Sequence, residues 1–308
     1  MIKKREVFLV KIEGTYNVDP TPVAATDAVM VEEPGLANEG LRMSERPRVS
    51  DSLAPIQSIY GDRLMTVTFT AELKGSGTAG TPPEIDALLR SCGYAVTNVP
   101  ATSDTYKPAS SGHESCTIYA YQDGKRTILT GCRGTFTLKA EAGMPSRLQF
   151  TMTGHVSVPT DTALVTPTYD STVPVAFKSA GFSIDGYSAI IAALNLDAGN
   201  QMATPPDCNA SDGFGEIQIV SRAITGSFDP EDTLVATEDW WGNFVAGTNM
   251  ALTTGVIGST AGNRYQISCP AVYYSNLSQG DRDGIRTLEA PFAAVESSGN
   301  DELSLAFT

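Results

Sequence analysis

The chain has few of the residues that usually carry enzyme chemistry. Among its 308 residues there are two histidines, His113 and His155. Neither lies in an H-E-x-x-H or cysteine-spaced metal pattern, and there is no G-x-S-x-G nucleophile motif. The five cysteines never form C-x-x-C, so we expect buried, reduced thiols in place of disulfides or a zinc site. These absences predict a protein that is not an enzyme, with no catalytic residue, metal ligand or cofactor.

Long apolar runs are also absent. No run approaches the roughly 18 residues that a membrane helix needs. At the N-terminus a basic start is followed by apolar residues that Lys11 and Glu13 interrupt, which predicts a first strand and not a signal peptide. A length of 308 residues, with 41% hydrophobic and 18% charged residues, suits one large folded domain or two ordinary ones. We therefore expect a folded protein with no membrane partner.

Positive charge is scarce in the second half of the chain. Residues 161–308 carry 5 Lys/Arg and 18 Asp/Glu (5 − 18 = −13), whereas residues 1–160 carry 16 and 17 (16 − 17 = −1). A protein that grips nucleic acid needs lysines and arginines on the phosphates. The acidic half therefore argues against tight nucleic-acid binding, although ordinary solubility explains such charge equally well.

Residues 65–93 combine an alternating strand, a glycine loop and a predicted helix. Within residues 65–73 the odd positions are apolar and the even positions are polar. This is the pattern of a strand with one wet face, which is usual in antiparallel sheets. A helix is predicted over residues 82–92, because Thr81 and Glu84 have the spacing of a capping box and an apolar stripe follows.

The loop between this strand and this helix, Gly75–Gly80, matches the G-x-G-x-x-G dinucleotide fingerprint. Two features argue against a nucleotide site. The preceding strand alternates where a parallel strand would be apolar throughout, and Pro82 and Pro83 delay the helix beyond the glycines. We interpret the loop as a connector, with an NAD-dependent oxidoreductase acting through Gly75–Gly80 as a minor alternative.

A strand, one helix and a run of strands occur twice along the chain. A second short helix is predicted over residues 238–246, and the glycines that end the two helices, Gly93 and Gly247, lie 154 positions apart (247 − 93 = 154). This spacing suggests a duplication, with one half at residues 1–160 and an acidic half at residues 161–308. The predicted fold class is mainly β: an antiparallel β-sandwich or partial barrel with a flanking short helix, occurring twice per chain.

A long arm over residues 31–61 contains prolines, glycines and many charges but no strand pattern. A segment of this length in a compact domain usually has a binding role. The two adjacent tryptophans of the second helix cannot both face the core, so one is either covered by a loop or available to a neighbouring subunit. The predicted contact residues are Glu32, Glu33, Arg42, Glu45, Arg46, Arg48, Asp51, Trp240 and Trp241.

The opening strand, the long arm and several further segments follow one another in a recognisable order. Glu13–Pro20 precedes the arm, and after it come Glu84–Gly93, Tyr119–Gly124, Gly131–Gly134, Ala142–Gly143, Gly262–Pro270, Asp281–Ile285 and Ser298–Phe307. In this order the chain resembles, over nearly its whole length, the tail tube (major tail) proteins of long, non-contractile-tailed bacteriophages.

The resemblance implies rings whose inner sheets join into one barrel, stacked into the tube that carries DNA out of the capsid. It implies self-association, with a trimer of pseudo-sixfold symmetry favoured over a hexamer because of the 154-residue spacing. Tape measure, tail terminator and distal tail proteins are the implied partners, and DNA would pass the lumen without specific binding, repelled by acidic side chains. The protein would lie in the virion tail tube, and in the host cytoplasm during assembly. Another β-rich virion protein or a cell-surface assembly protein is the alternative.

Overall fold

Antiparallel strands form most of the protein, whose computed structural model describes residues 2–308. The strands up to residue 156 are β1 (Glu6–Ile12), β2 (Ala28–Val29), β3 (Glu32–Glu39), β4 (Met43–Ser44), β5 (Ile59–Tyr60), β6 (Leu64–Glu72), β7 (Tyr94–Val99), β8 (Ser103–Pro108), β9 (Cys116–Gln122), β10 (Lys125–Glu141) and β11 (Arg147–Val156). The later strands are β12 (Thr160–Asp161), β13 (Ser183–Ile184), β14 (Ala193–Asp197), β15 (Asn200–Ala203), β16 (Gln218–Arg222), β17 (Thr225–Phe228), β18 (Met250–Thr253), β19 (Tyr265–Tyr274), β20 (Ser278–Arg282), β21 (Ile285–Ala294) and β22 (Ser304–Phe307). Two short helices, α1 (Asp86–Ser91) and α2 (Trp240–Ala246), accompany them. The predicted mainly β, antiparallel fold with short flanking helices is confirmed.

One continuous sheet runs through the whole chain. Its order is β3-β6-β11-β10-β14-β17-β21, and β19 and β20 follow one another along the far side of β21. The 17-residue strand β10 makes this possible, because it pairs with β11 on one side and, on the other, with β9 near its start and β14 near its end. Followed pair by pair, the ladder never returns to its first strand, so the sheet is open.

A second layer of strands covers one face of this sheet. β19 pairs with β22, β22 with β8, and β8 with β7. Across the layers, the ring centroids of Tyr94 on β7 and Phe136 on β10 lie 5.2 Å apart, and within the second layer those of Tyr106 and Phe307 lie 5.8 Å apart. A single apolar core therefore contains residues from both halves of the chain, and burial of its side chains is the main stabilising contribution.

The alternation predicted for residues 65–73 holds in β6. Val67, Phe69 and Ala71 are buried, and the threonines between them point to the other face. The Phe69 ring lies 5.8 Å from that of Phe150 on β11 and 5.9 Å from that of Phe8 on β1. One face of β6 therefore belongs to the core and the other remains wet, as the period of two requires.

The first helix begins later than predicted, and its predicted capping box is wrong. α1 starts at Asp86 instead of residue 82, and no side chain caps it. The two prolines stay in the turn before it, since a residue that precedes proline avoids helical backbone angles. The Glu84 carboxylate accepts a hydrogen bond from the Met30 amide and lies 3.2 Å from the Lys74 ammonium group. A contact between distant segments thus takes the side chain that the local pattern assigned to the cap.

The second helix follows its local signals more closely. The Asp239 carboxylate accepts a hydrogen bond of 2.8 Å from the Gly242 amide, and Gly247 ends the helix at φ +62°. Trp240 is buried against Phe228 and Tyr274. Among residues 2–308, no helix is long and apolar enough to cross a membrane.

Four of the five cysteines are buried free thiols: Cys92, Cys116, Cys132 and Cys269. Burial raises the pKa of the Cys269 thiol to about 12, so this thiol stays protonated and unreactive at neutral pH. Cys208 is exposed, and the expectation of burial is wrong for this residue.

The glycine loop packs backbone to backbone against a distant loop. The Gly77 amide donates to the Gly262 carbonyl (2.9 Å), and the Gly75 amide donates to the Asn263 side chain (3.2 Å). A Cβ atom at Gly75 would overlap the Gly262 carbonyl oxygen. Glycine is therefore required here for close packing of two backbones.

Gly75→Ala should lower the free energy of unfolding by about 3 kcal/mol, because the added methyl group forces the two loops apart. Urea unfolding of the monomer measures this. Gly14→Ala is the matched control, since the space around its Cβ position is empty, and its effect should stay within about 0.5 kcal/mol. Equal stability of the two variants would contradict the packing role.

Candidate assembly surfaces

The exposed face of the central sheet is polar. Alternate residues of five neighbouring strands point to it: Thr66, Thr68, Thr70 and Glu72 on β6; Arg147, Gln149 and Thr151 on β11; Thr135, Thr137, Lys139 and Glu141 on β10; Asn195 and Asp197 on β14; and Thr225 and Ser227 on β17. At about 4.8 Å between strands, this polar face is about 20 Å wide. It contains no large apolar side chain, so it does not need to be covered by another protein surface.

Charges on the polar face nearly cancel. Three acids, Glu72, Glu141 and Asp197, accompany two bases, Lys139 and Arg147, and the remaining side chains carry hydroxyl or amide groups. Arg147 also lies 3.0 Å from Glu32 on the edge strand β3. The acidic excess of the second half is therefore not concentrated on this face.

The sheet has an unpaired edge at each end. Within residues 2–308, β3 pairs only with β6, and β20 pairs only with β21. Unpaired edges offer rows of N–H and C=O groups to another strand. Both edges can therefore accept a strand from a second chain.

The arm predicted over residues 31–61 is in part a strand. Glu32 and its neighbours form β3, with a bulge at Glu33 (φ +50°), so the segment is not structureless throughout. Residues 40–63, named arm 1, project from the sheet between β3 and β6. β4 and β5 form its stem, and its tip, residues 45–58, is exposed almost throughout. Val49 and Leu53 at the tip are fully exposed, so a second protein surface could bury both side chains.

A second arm was not predicted. Residues 204–217, named arm 2, join β15 to β16 and fold back over the first half of the chain. The buried Arg133 guanidinium pairs with Glu216 (2.8 Å) and donates to the Ile217 carbonyl (2.5 Å). The signal that could have revealed arm 2 is its position, because it precedes the second predicted helix as arm 1 precedes the first.

A chain of hydrogen bonds holds arm 2 to β11. His155 lies 2.5 Å from the Asp212 carboxylate through Nδ1 and 3.0 Å from the Tyr16 hydroxyl through Nε2, and that hydroxyl accepts from the Ile217 amide. The pKa of the Asp212 carboxyl is lower than usual. Burial raises this pKa, but the hydrogen bonds from His155 and the Phe214 amide lower it by more. Burial raises the pKa of the Tyr16 hydroxyl to about 12. The arrangement ties two segments together.

The two arms also touch each other. The Arg42 guanidinium of arm 1 lies 3.7 Å from the ring centre of Phe214 in arm 2 and donates to the Gly213 carbonyl (2.6 Å). Such a cation–π contact contributes about 0.5–1 kcal/mol where it is partly exposed. Leu64, Phe214 and Ile217 form a small buried cluster beneath it.

The predicted contact residues fall into three groups. Glu45, Arg46, Arg48 and Asp51 are exposed in the tip of arm 1, and within residues 2–308 none of them has an ion-pair partner. Glu32, Glu33 and Arg42 lie on β3 and at the base of arm 1, where Glu32 and Arg42 already have partners in the chain. Trp240 belongs to the core, and Trp241 is 41% exposed beside Phe244.

The other histidine is also held by the fold. His113 Nε2 lies 2.9 Å from the Ala109 carbonyl, to which it donates, and Arg133 donates to the carbonyl of His113 (2.6 Å). In the part of the chain that the structure describes, residues 2–308, no three His, Cys, Asp or Glu side chains are grouped to hold a metal ion.

Comparison with known proteins gives one family. The model of the family described as phage tail tube protein matches residues 4–307. A search of curated proteins found no match.

Proposed function

Because the chain belongs to the phage tail tube protein family, a family of structural virion proteins, we propose that it assembles into closed rings that stack into the tube of a long, non-contractile tail. The observation that carries this proposal is the strand order of the central sheet. It consists of two sets of four strands, β3-β6-β11-β10 and β14-β17-β21-β20, joined by the pairing of β10 with β14. In each set a helix follows the second strand.

We expect neighbouring chains to pair their edge strands in the same way as the two strand sets pair within the chain. β10 ends the first set and pairs with β14, which begins the second. By the same rule β20, which ends the second set, pairs with β3 of the next chain. Repetition of one head-to-tail contact generates a ring when the rotation closes. The sites at which this contact forms are the two unpaired edges.

A trimer follows from the two sets per chain. Three chains contribute 24 strands (3 × 8), and strands spaced about 4.8 Å apart and tilted as in barrels give a backbone diameter of about 45 Å. Such a ring has threefold symmetry that approximates sixfold. The division of the chain into tube-like halves near residue 160 is part of this proposal.

The polar face lines the channel in this arrangement. Its hydroxyl and amide groups stay hydrated, and β3 and β21 add the acids Glu32 and Glu289 on the same side, so the wall offers phosphates no basic patch. Passing DNA therefore slides without specific binding. The acidic wall stays a prediction: Asp197 and Glu289 are acids of the second half on this side of the sheet, although most acids of that half lie on other surfaces.

Stacking is the role of the tip of arm 1. The tip projects from one end of the sheet and presents Val49 and Leu53 together with charges of both signs. In the next ring these apolar side chains would be buried. The protein has no enzymatic role in this proposal; its partners are its own copies and the tape measure, tail terminator and distal tail proteins of the tail, with assembly in the host cytoplasm.

Electron microscopy of the concentrated pure protein tests the proposal. Hollow tubes or rings are expected, with end-on class averages that show three equivalent subunits and six similar lobes. A ring of six chains would reject the trimer but keep the tube. A protein that stays monomeric at every concentration and with purified tail partners would reject the whole proposal.

A further inference from the structure

Arm 1 and arm 2 leave the sheet at matching points. Arm 1 joins β3 to β6; arm 2 joins β15 to β16, which continue the ladder of β14 and β17. Leu64 lies nine residues before Leu73 (73 − 64 = 9), and Ile219 lies nine residues before Phe228 (228 − 219 = 9). Leu73 directly follows β6, Phe228 is the last residue of β17, and both are buried. Leu64 and Ile219 therefore occupy equivalent positions in the two halves.

The position at Leu64 is filled from within the chain. Phe214 and Ile217 of arm 2 pack on Leu64, which is fully buried, and Arg42 covers the Phe214 ring. Phe214 lies five residues before Ile219 (219 − 214 = 5). The second half thus sends an apolar side chain of its arm onto the first half.

The position at Ile219 is only partly covered, because its side chain lies against Gly93 and is half-buried. A groove of about 340 Å³ lies beside it, between β16 and the loop that carries His113. Val220, in the wall of the groove, is 59% exposed. No arm of the described chain, residues 2–308, reaches this groove, although its counterpart at Leu64 is covered.

The segment that matches Phe214 is exposed. Ile59 lies five residues before Leu64 (64 − 59 = 5), as Phe214 lies five residues before Ile219. Ile59 is 55% exposed and Tyr60 is 50% exposed on β5. We propose that Ile59 and Tyr60 of one chain fill the groove beside Ile219 of the adjacent chain in the ring, as Phe214 covers Leu64 within the chain.

This inference rests on the proposed ring and identifies a contact inside it. The stem of arm 1 belongs to the contact between neighbours in one ring, whereas its tip remains free for the next ring. Arm 2 makes the equivalent contact within each chain. Every half of the ring then receives one arm from its neighbour, and the apolar surfaces of Ile59, Tyr60 and Val220 are all buried.

A thiol crosslink tests the contact. In a Cys208→Ser background the four remaining cysteines are buried, so Ile59→Cys and Val220→Cys introduce the exposed thiols. Treatment of assembled protein with a short bismaleimide should link neighbouring chains into dimers and trimers. The pair Ile59→Cys and Val173→Cys is the matched control, since Val173 is 75% exposed and has no place in the contact. Proximity should give at least about tenfold more linked chains than the control pair.

Three outcomes separate this contact from the proposed ring. Normal rings or tubes without the Ile59–Val220 crosslink would overturn the contact and leave the ring. If the cysteine variant does not assemble, Ile59→Asp decides: it should prevent assembly at an unchanged melting temperature while Val173→Asp assembles, and normal assembly of Ile59→Asp would overturn the contact. Failure of the unaltered chain to form rings would contradict the proposed function itself.

Discussion

Replacement of residues 45–58 by Asn-Gly should abolish tube formation and leave a folded protein. β4 and β5 place Ser44 opposite Ile59, so a two-residue type I′ turn can join them without disturbing the stem. The replacement removes Val49, Leu53 and the charged residues of the tip, none of which has an ion-pair partner within residues 2–308. Their loss should therefore change the stability of the monomer little. It should remove the apolar contact between stacked rings.

The structure decides where this deletion begins. Removal of residues 31–61, the arm as it is predicted from the sequence, would also remove β3, which pairs with β6 and carries Glu32. A failure to polymerise would then reflect a lost sheet edge as much as a lost arm. The shorter replacement keeps β3, the β4–β5 stem and the contact of Arg42 with Phe214.

Electron microscopy, sedimentation and thermal unfolding together measure the result. Rings or monomers without tubes are expected, with a melting temperature within a few degrees of the unaltered chain. A variant that keeps the length of the tip but carries Val49→Ser and Leu53→Ser is the control for loop length, and it should also stack poorly. Tubes of normal length from the Asn-Gly variant would reject the stacking role of the tip.

Glu13→Ala should lower the free energy of unfolding by about 4 kcal/mol or more. The buried Glu13 carboxylate accepts hydrogen bonds from the Asn17 and Gly131 amides and from the Ser115 and Thr117 hydroxyls, at 2.6–2.8 Å. Hydrogen bonds to a charged group contribute about 1.5–3 kcal/mol each, and a buried donor without a partner costs about 1–3 kcal/mol. Alanine leaves three buried donors, on Ser115, Thr117 and Gly131, without this partner.

The position of Glu13 also links it to arm 2. Its bond to Gly131 holds a bulge in β10, where the pairing register shifts and the backbone of Gly131 has φ +61°. The bulge precedes Arg133, the buried cation that binds Glu216 and the Ile217 carbonyl of arm 2. We therefore expect Glu13→Ala to loosen arm 2 as well, with faster hydrogen exchange at residues 212–217.

Urea unfolding at a protein concentration too low for assembly measures the loss of stability. Glu13→Gln should lower the free energy of unfolding by about 2 kcal/mol, which is less than Glu13→Ala. Its amide oxygen still accepts hydrogen bonds, but its NH₂ group faces other donors. Glu39→Ala, on the exposed end of β3, should change stability by less than about 0.5 kcal/mol. A loss of under 1 kcal/mol for Glu13→Ala would contradict the role of the buried carboxylate.

Local patterns in the sequence predicted features that depend on neighbouring residues, such as the buried face of a strand and the end of a helix. The period of two in residues 65–73 specified which face of β6 is buried, and the glycine at Gly247 specified the end of α2. The capping box failed because Glu84 is used by Met30 and Lys74, residues that are distant in sequence. Likewise β3 has no clear alternation of its own, and its strand form comes from pairing with β6.

The sequence by itself determined the mainly β class, the two short helices, the scarcity of groups for catalysis and the resemblance to tail tube proteins. These depend on residue types and on spacings within one element. The tertiary structure alone decided that β10 joins the two sets of strands, that β3 and β20 are the unpaired edges, and that arm 2 packs on the first half while arm 1 projects. The physical reason is that strand pairing and arm docking depend on contacts between residues far apart in sequence, which no local period specifies.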